Sequence, residues 1–147
     1  MSFALAERVR QKFCAEASVA STINACVAGT PMPTLLVQAG LGFNKAERER
    51  IAAGATDIQP TLRVMKAFPN QAARDAGLHI PWNMRVPQLS VIARVHAEDI
   101  DTILNRGTAE ENLCSWTTSG GDALPEVGVI VEARKMGDHV HALVTVE

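Results

Sequence analysis

Residues 127–147 read VGVIVEARKMGDHVHALVTVE, and their pattern decides the fold. Two runs rich in β-branched residues flank Gly137-Asp138, a dipeptide suited to a tight turn. Apolar residues alternate on both sides of it: Val129, Val131 and Ala133 before, Val140, Ala142, Val144 and Val146 after. Period-two alternation puts each set on one sheet face, so the segment predicts a hairpin half-buried against a core. Upstream, Val/Ile/Leu-rich runs at Gln88 to His96 and Asn112 to Thr118 are predicted as further strands. Between them AEDIDTILNRG reads as a two-turn helix, with acidic residues in its first turn and Gly107 beyond its end.

Before Trp82 the texture is helical. Leu5, Val9, Phe13, Ala17 and Ala20 recur every three or four positions behind Ser2, and Gly29, Pro31 and Pro33 stop the pattern. This predicts a first helix of about 25 residues. Asn44 and Glu47 form a capping-box pair ahead of KAERERIAA, which Gly54 closes. Pro60 at a first-turn position starts TLRVMKAF as a helix, and Pro69-Asn70 starts a last short one that Gly77 ends. Helices first and an antiparallel sheet afterwards define an α+β class. At 147 residues the chain fits one domain, with a helical lobe over 1–80 and a strand-rich part over 81–147.

The formal net charge of −2 hides an asymmetry. Residues 1–77 carry nine Lys/Arg against six Asp/Glu, net +3, and residues 78–147 carry five against ten, net −5. Four Phe, two Trp and no Tyr must also serve the core, which leaves few platforms for stacking bases and argues against a nucleic-acid partner. Cys14, Cys26 and Cys114 are an odd number at unrelated spacings and read as reduced thiols of a cytosol-like compartment. MSFALAERVRQKF has no apolar core of a signal peptide, and no run is long enough to span a membrane, so a cytoplasmic location is expected. The oligomeric state is not legible.

No GxGxxG, P-loop, CxxC or HExxH occurs. His139 and His141 face the same way on a strand, but without a third convergent ligand no metal is expected. Cys114 reads as a small buried hydrophobe rather than a nucleophile. Three features carry more. In Ser115-Trp116-Thr117-Thr118-Ser119 hydroxyls alternate on one face while Trp116 anchors the core, although a hydroxyl-rich edge strand facing water has the same pattern. Arg94 sits within the apolar run VIARVH, where a guanidinium needs a carboxylate or phosphate partner unless it lies on an exposed face. Glu147 ends the apolar strand VHALVTV.

In that order, over residues 88–147, these features resemble the arginine, serine-motif, glutamate class of mono-ADP-ribosyltransferases. The resemblance implies a helical lobe followed by a small, mainly antiparallel split sheet that binds NAD as substrate. Arg94 would contact the phosphates and nicotinamide ribose, as suits a planar, permanently charged donor. Ser115 would orient Glu147, Thr117 would hold the cleft open, and Trp116 lies within the same cofactor-binding motif. Glu147 would stabilise the oxocarbenium-like ribose as nicotinamide leaves. The implied activity is modification of a target protein, as by a phage or toxin-type effector acting in host cytoplasm. Thr145 stands where arginine-modifying members carry a second glutamate, and Glu126 and Glu132 are alternative carboxylates.

Two other readings stand beside it. The net −5 of residues 78–147 suits a non-enzymatic protein-interaction module, such as a virion component or an inhibitor of a host complex. Residues 44–77, with Lys45, Arg48, Arg50, Arg63, Lys66 and Arg74, could form a helix-turn-helix, but the interleaved Glu47 and Glu49 point to a solvated helix face.

Overall fold

Both halves of the chain contribute to one continuous antiparallel sheet. The computed structural model describes residues 1–98, 106–118 and 121–147. Its strands are β1 (Thr34–Gly42), β2 (Thr61–Pro69), β3 (Arg106–Asn112), β4 (Gly128–Met136) and β5 (His139–Val146), in the order β2-β1-β5-β4-β3. Its helices are α1 (Phe3–Phe13), α2 (Val19–Gly29), α3 (Lys45–Ala52), α4 (Gln71–Asp75) and α5 (Val91–Ala97). The α+β class and the terminal hairpin are as the sequence predicts: β4 and β5 pair from Met136↔His139 to Val129↔Val146, around Gly137 at φ 68°. No helix among the described residues is long and apolar enough to cross a membrane.

Side-chain alternation divides the sheet between two layers. One face carries Val37, Val64, Val131 and Ala142, packed in the main core with Val91, Ile92 and Val95 of α5 and with Trp116. The opposite face offers Leu36 and Leu143 to Phe3 and Ala6 of α1 and to Ile23 and Val27 of α2. Two predicted helices hold. Asn44 and Glu47 make a complete capping box on α3, and Asn70 caps α4, which Gly77 follows at φ 69°.

Other expectations are corrected. The single first helix is two, because Ser18 adopts an extended backbone and accepts from the Ser21 N–H at 3.0 Å, starting α2 afresh. TLRVMKAF is β2: pairing with β1 and burial of Val64 override a weak local helix signal. TLLVQAGLG is β1, buried on both faces over most of its length, so no alternation marks it in the sequence. A helical lobe over 1–80 therefore does not form as a separate unit. Residues 44–77 run helix, strand, helix, which removes the helix-turn-helix geometry.

The predicted strand at Gln88–His96 is mostly α5. Ser90 caps it by accepting from the Ile92 N–H at 3.2 Å, and buried Val91, Ile92 and Val95 have helical spacing. The predicted strand at Asn112–Thr118 gives way to a 3₁₀ turn over Leu113–Ser115, with Thr117 making one isolated bridge to Ala123. The helix expected within 97–107 falls largely outside the described residues, and Arg106-Gly107 opens β3.

The two sheet edges differ. The outer side of β2 is sealed by residues 83–86: Val64 N–H donates to Met84 O at 2.8 Å, Asn83 N–H to Val64 O at 2.7 Å, and Val86 N–H to Leu62 O at 3.0 Å. β2 is also bulged, since Val64 and Lys66 face consecutive residues of β1, and it ends in Pro69. β3 pairs with β4 from Arg106↔Arg134 to Asn112↔Gly128 without a bulge and contains no proline. Leu113 N–H donates to Val127 O at 3.0 Å, which fixes the phase of the ladder. Bonded pairs alternate in antiparallel sheets, so Gly107, Ala109 and Glu111 bond β4, while Arg106, Thr108 and Glu110 aim their backbone groups outward. Among the described residues no strand pairs with that side.

Candidate functional site

Where β3 ends, the chain turns through Leu113–Ser115 and leaves an open cleft of about 620 Å³ against residues 85–90. Its lining includes Arg85, Gln88, Ser90, Glu111, Ser115 and Thr117. Trp116 holds this wall. It is fully buried, its N–H donates to Leu113 O at 2.9 Å, and its carbonyl accepts from Leu124 N–H at 3.0 Å. With Trp116 pointing into the core, its neighbours Ser115 and Thr117 are exposed on the cleft side.

Hydrogen bonds in the cleft serve the fold. Ser115 Oγ donates to Asn112 O at 2.8 Å, and Asn112 Oδ1 accepts from Cys114 N–H at 3.0 Å, so side chains on both sides tighten the turn. Glu111 Oε1 accepts from Ser90 Oγ at 2.9 Å and from Val91 N–H at 2.8 Å, which places a carboxylate on the first turn of α5. Leu89 stands at the rim, wholly exposed. Ser90 and Glu111 are absent from the sequence-based candidates. The sequence signal for Ser90 is a serine N-cap directly ahead of the apolar Val91 and Ile92.

The other sequence-based candidates separate. Arg94 lies on α5 rather than on a strand and is exposed, its guanidinium packed on Gly107 of β3. Gly107 faces α5, so Arg94 is on that side of the sheet. Glu147 is exposed and shares the parity of Leu143, which faces α1 and α2, with Oε2 3.5 Å from where a Cβ on Gly128 would stand. The structure thus brings Ser115 and Thr117 to one cleft, with Trp116 behind them, and sets Arg94 and Glu147 on opposite faces of the sheet. Ser119 lies outside the described residues. Of the alternative carboxylates, Glu126 is exposed, and Glu132 accepts from the Phe3 N–H through both oxygens at 3.3 and 3.2 Å, capping α1.

His139 Nδ1 is 2.9 Å from Asp138 Oδ1, and burial, followed by the nearby His139, pushes His141 below the usual histidine range. Burial lowers His96 as well, with Lys135 adding to the effect, and Lys135 Nζ donates to His96 O at 2.9 Å at the end of α5. Among the described residues no three His, Cys, Asp or Glu side chains group to hold a metal. All three cysteines are free thiols, but Cys114 is exposed, not the buried hydrophobe expected, because the 3₁₀ turn points it outward.

Gly107 makes the packing of α5 on β3 possible. A Cβ there would meet Arg94 Nη2 and would stand 2.7 Å from Val91 Cγ2. Arg94 can swing away into solvent, whereas Val91 is buried and must shift with its helix. Gly107→Ala is expected to cost about 1–3 kcal/mol. Equal urea midpoints for variant and wild type would show that α5 does not pack this closely.

Compared with protein families and with characterised proteins, the chain matches none.

Proposed function

We propose that the protein is a non-enzymatic protein-interaction module that receives an extended segment of its partner along the outer side of β3, beside the cleft at its end. One observation carries the reading: among the described residues one sheet edge is sealed and the other is regular and uncovered. Soluble proteins ordinarily blunt such edges with bulges, prolines or covering segments, and β2 has all three. Outward N–H and C=O groups at every second residue provide hydrogen bonds for an added strand, and the neighbouring cleft can seat the side chains of that strand. The NAD reading has less support, because transfer needs Arg94 and Glu147 on one cleft and they are separated by the sheet.

Thr108→Pro tests the proposal. The Thr108 N–H lies outside the β3–β4 ladder, so proline there should leave the fold largely intact while removing a central donor from the open edge. Partner binding should weaken at least about tenfold, the loss of one well-made bond in an otherwise unchanged interface. Folded protein should release no nicotinamide from labelled NAD. Unchanged partner binding by folded Thr108→Pro, or nicotinamide release that Glu147→Ala abolishes, would overturn the interaction reading.

A further inference from the structure

Resting on the proposed open-edge function, the sequence of β3 selects a particular partner. We infer that β3 pairs with β3 of a second copy of this chain, antiparallel about a two-fold axis at Thr108, to make a continuous ten-stranded sheet.

The exposed side chains of the outward-bonding residues are Arg106, Thr108 and Glu110. Two-fold pairing at Thr108 sets Thr108 opposite itself and Arg106 of each copy opposite Glu110 of the other. Each of these pairs joins residues whose backbone groups point outward, so all three form the bonded type and together supply about six hydrogen bonds. Threonine opposite threonine and opposite charges are both favourable cross-strand pairs. Only this axis gives both. Moving it to Ala109 would oppose Arg106 to Asn112 and Thr108 to Glu110, with no charge pair.

Among the described residues of one chain these charges lack ion-pair partners, although Arg106 shares a cleft with Glu7 and Glu132. Arg106 faces Arg134 across the ladder, and Arg134 is already paired to Glu7 at 3.0 Å. Glu110 faces Ile130, which is 40% exposed. Neither Arg106 nor Glu110 makes an ion pair among the described residues. A second copy would give each its counter-charge.

The test uses charge reversal on the full chain, followed by sedimentation equilibrium. Arg106 and Glu110 are exposed, so R106E and E110R should both keep the fold, as checked by circular dichroism. Wild type should dimerise. Each single variant opposes like charges twice and should dimerise at least about tenfold more weakly. An equimolar mixture should recover a heterodimer, since each variant then meets its opposite charge at both positions, and the R106E/E110R double variant should recover a homodimer. A monomeric wild type, or a dimer that neither reversal weakens, overturns the self-pairing. A monomeric wild type whose binding to a different partner is weakened by Thr108→Pro would remove the self-pairing and leave the open-edge reading standing.

Discussion

Trp116→Ala is expected to lower the unfolding free energy by about 3–5 kcal/mol, the usual cost of emptying a large aromatic site in a packed core. Trp116 is fully buried and heads the largest buried side chains of the molecule. It shares the main core with Leu113, Val129 and the apolar residues of α5, so the cavity would open where β3, β4 and α5 meet. The indole Nε1 has no hydrogen-bond partner among the described residues. Trp116 is therefore held by packing rather than by a polar contact. Trp116→Phe, which keeps a ring and removes an unsatisfied donor, should cost much less than alanine. Urea denaturation of the three proteins decides it. A loss below about 1 kcal/mol on alanine substitution would mean that the site collapses freely and that Trp116 does not hold the wall of the cleft.

Asn70→Ala is expected to cost roughly 2–4 kcal/mol, about the desolvation penalty of the two buried N–H donors it leaves without an acceptor. Asn70 is 3% exposed and ties three elements together. Its Oδ1 accepts from Thr34 N–H at 3.1 Å and from Ala73 N–H at 2.8 Å, fixing the start of β1 to the first turn of α4. Its Nδ2 donates to Met32 O at 2.8 Å and Thr30 O at 3.0 Å, with a longer contact to Val27 O at 3.3 Å, holding the exit from α2. Asn70→Asp keeps the acceptor but turns an oxygen toward those carbonyls, so it should destabilise despite its equal size. In a chain of this length each kcal/mol lowers Tm by about 2–4 °C, so the loss is readily seen by calorimetry. Melting of Asn70→Asp within a degree of wild type would show that the donor side of the amide contributes nothing.

Parts of this arrangement were legible in the sequence because they depend on local chemistry. The Asn44/Glu47 capping box, the Asn70 cap and the Gly137 turn each use a few neighbouring residues, and each forms as expected. The β4–β5 hairpin is legible because β4 alternates between buried and more exposed positions and β5 does so as far as Ala142, beyond which Leu143 and Val144 are buried as well. β1 was hidden because both of its faces are covered, which erases alternation. α5 is ambiguous for a related reason: seven residues with three buried apolar ones look alike as a short strand or a short helix until the Ser90 cap and Glu111, 21 residues later in the chain, are included.

The site was legible only in part. Alternation alone puts Trp116 in the core and Ser115 and Thr117 outside it, although a 3₁₀ turn rather than a strand produces that result. The position of Arg94 depends on α5. Once that segment is a helix packed over Gly107, its guanidinium and Glu147 fall on different sides of the sheet. The open edge of β3 had no local signature at all. It depends on strand order, which the sequence-based strands lacked while β1 and β2 were missing from them.

Amide hydrogen exchange at single residues tests the open edge most directly. In dilute protein, where no partner is bound, Gly107, Ala109 and Glu111 should exchange slowly through their bonds to β4, and Thr108 and Glu110 should exchange fast. Under conditions of binding, whether to a second copy at high concentration or to another protein, Thr108 and Glu110 should become as protected as their neighbours. Binding that leaves those two amides fast, or two amides already slow in dilute protein, would contradict an interaction through β3.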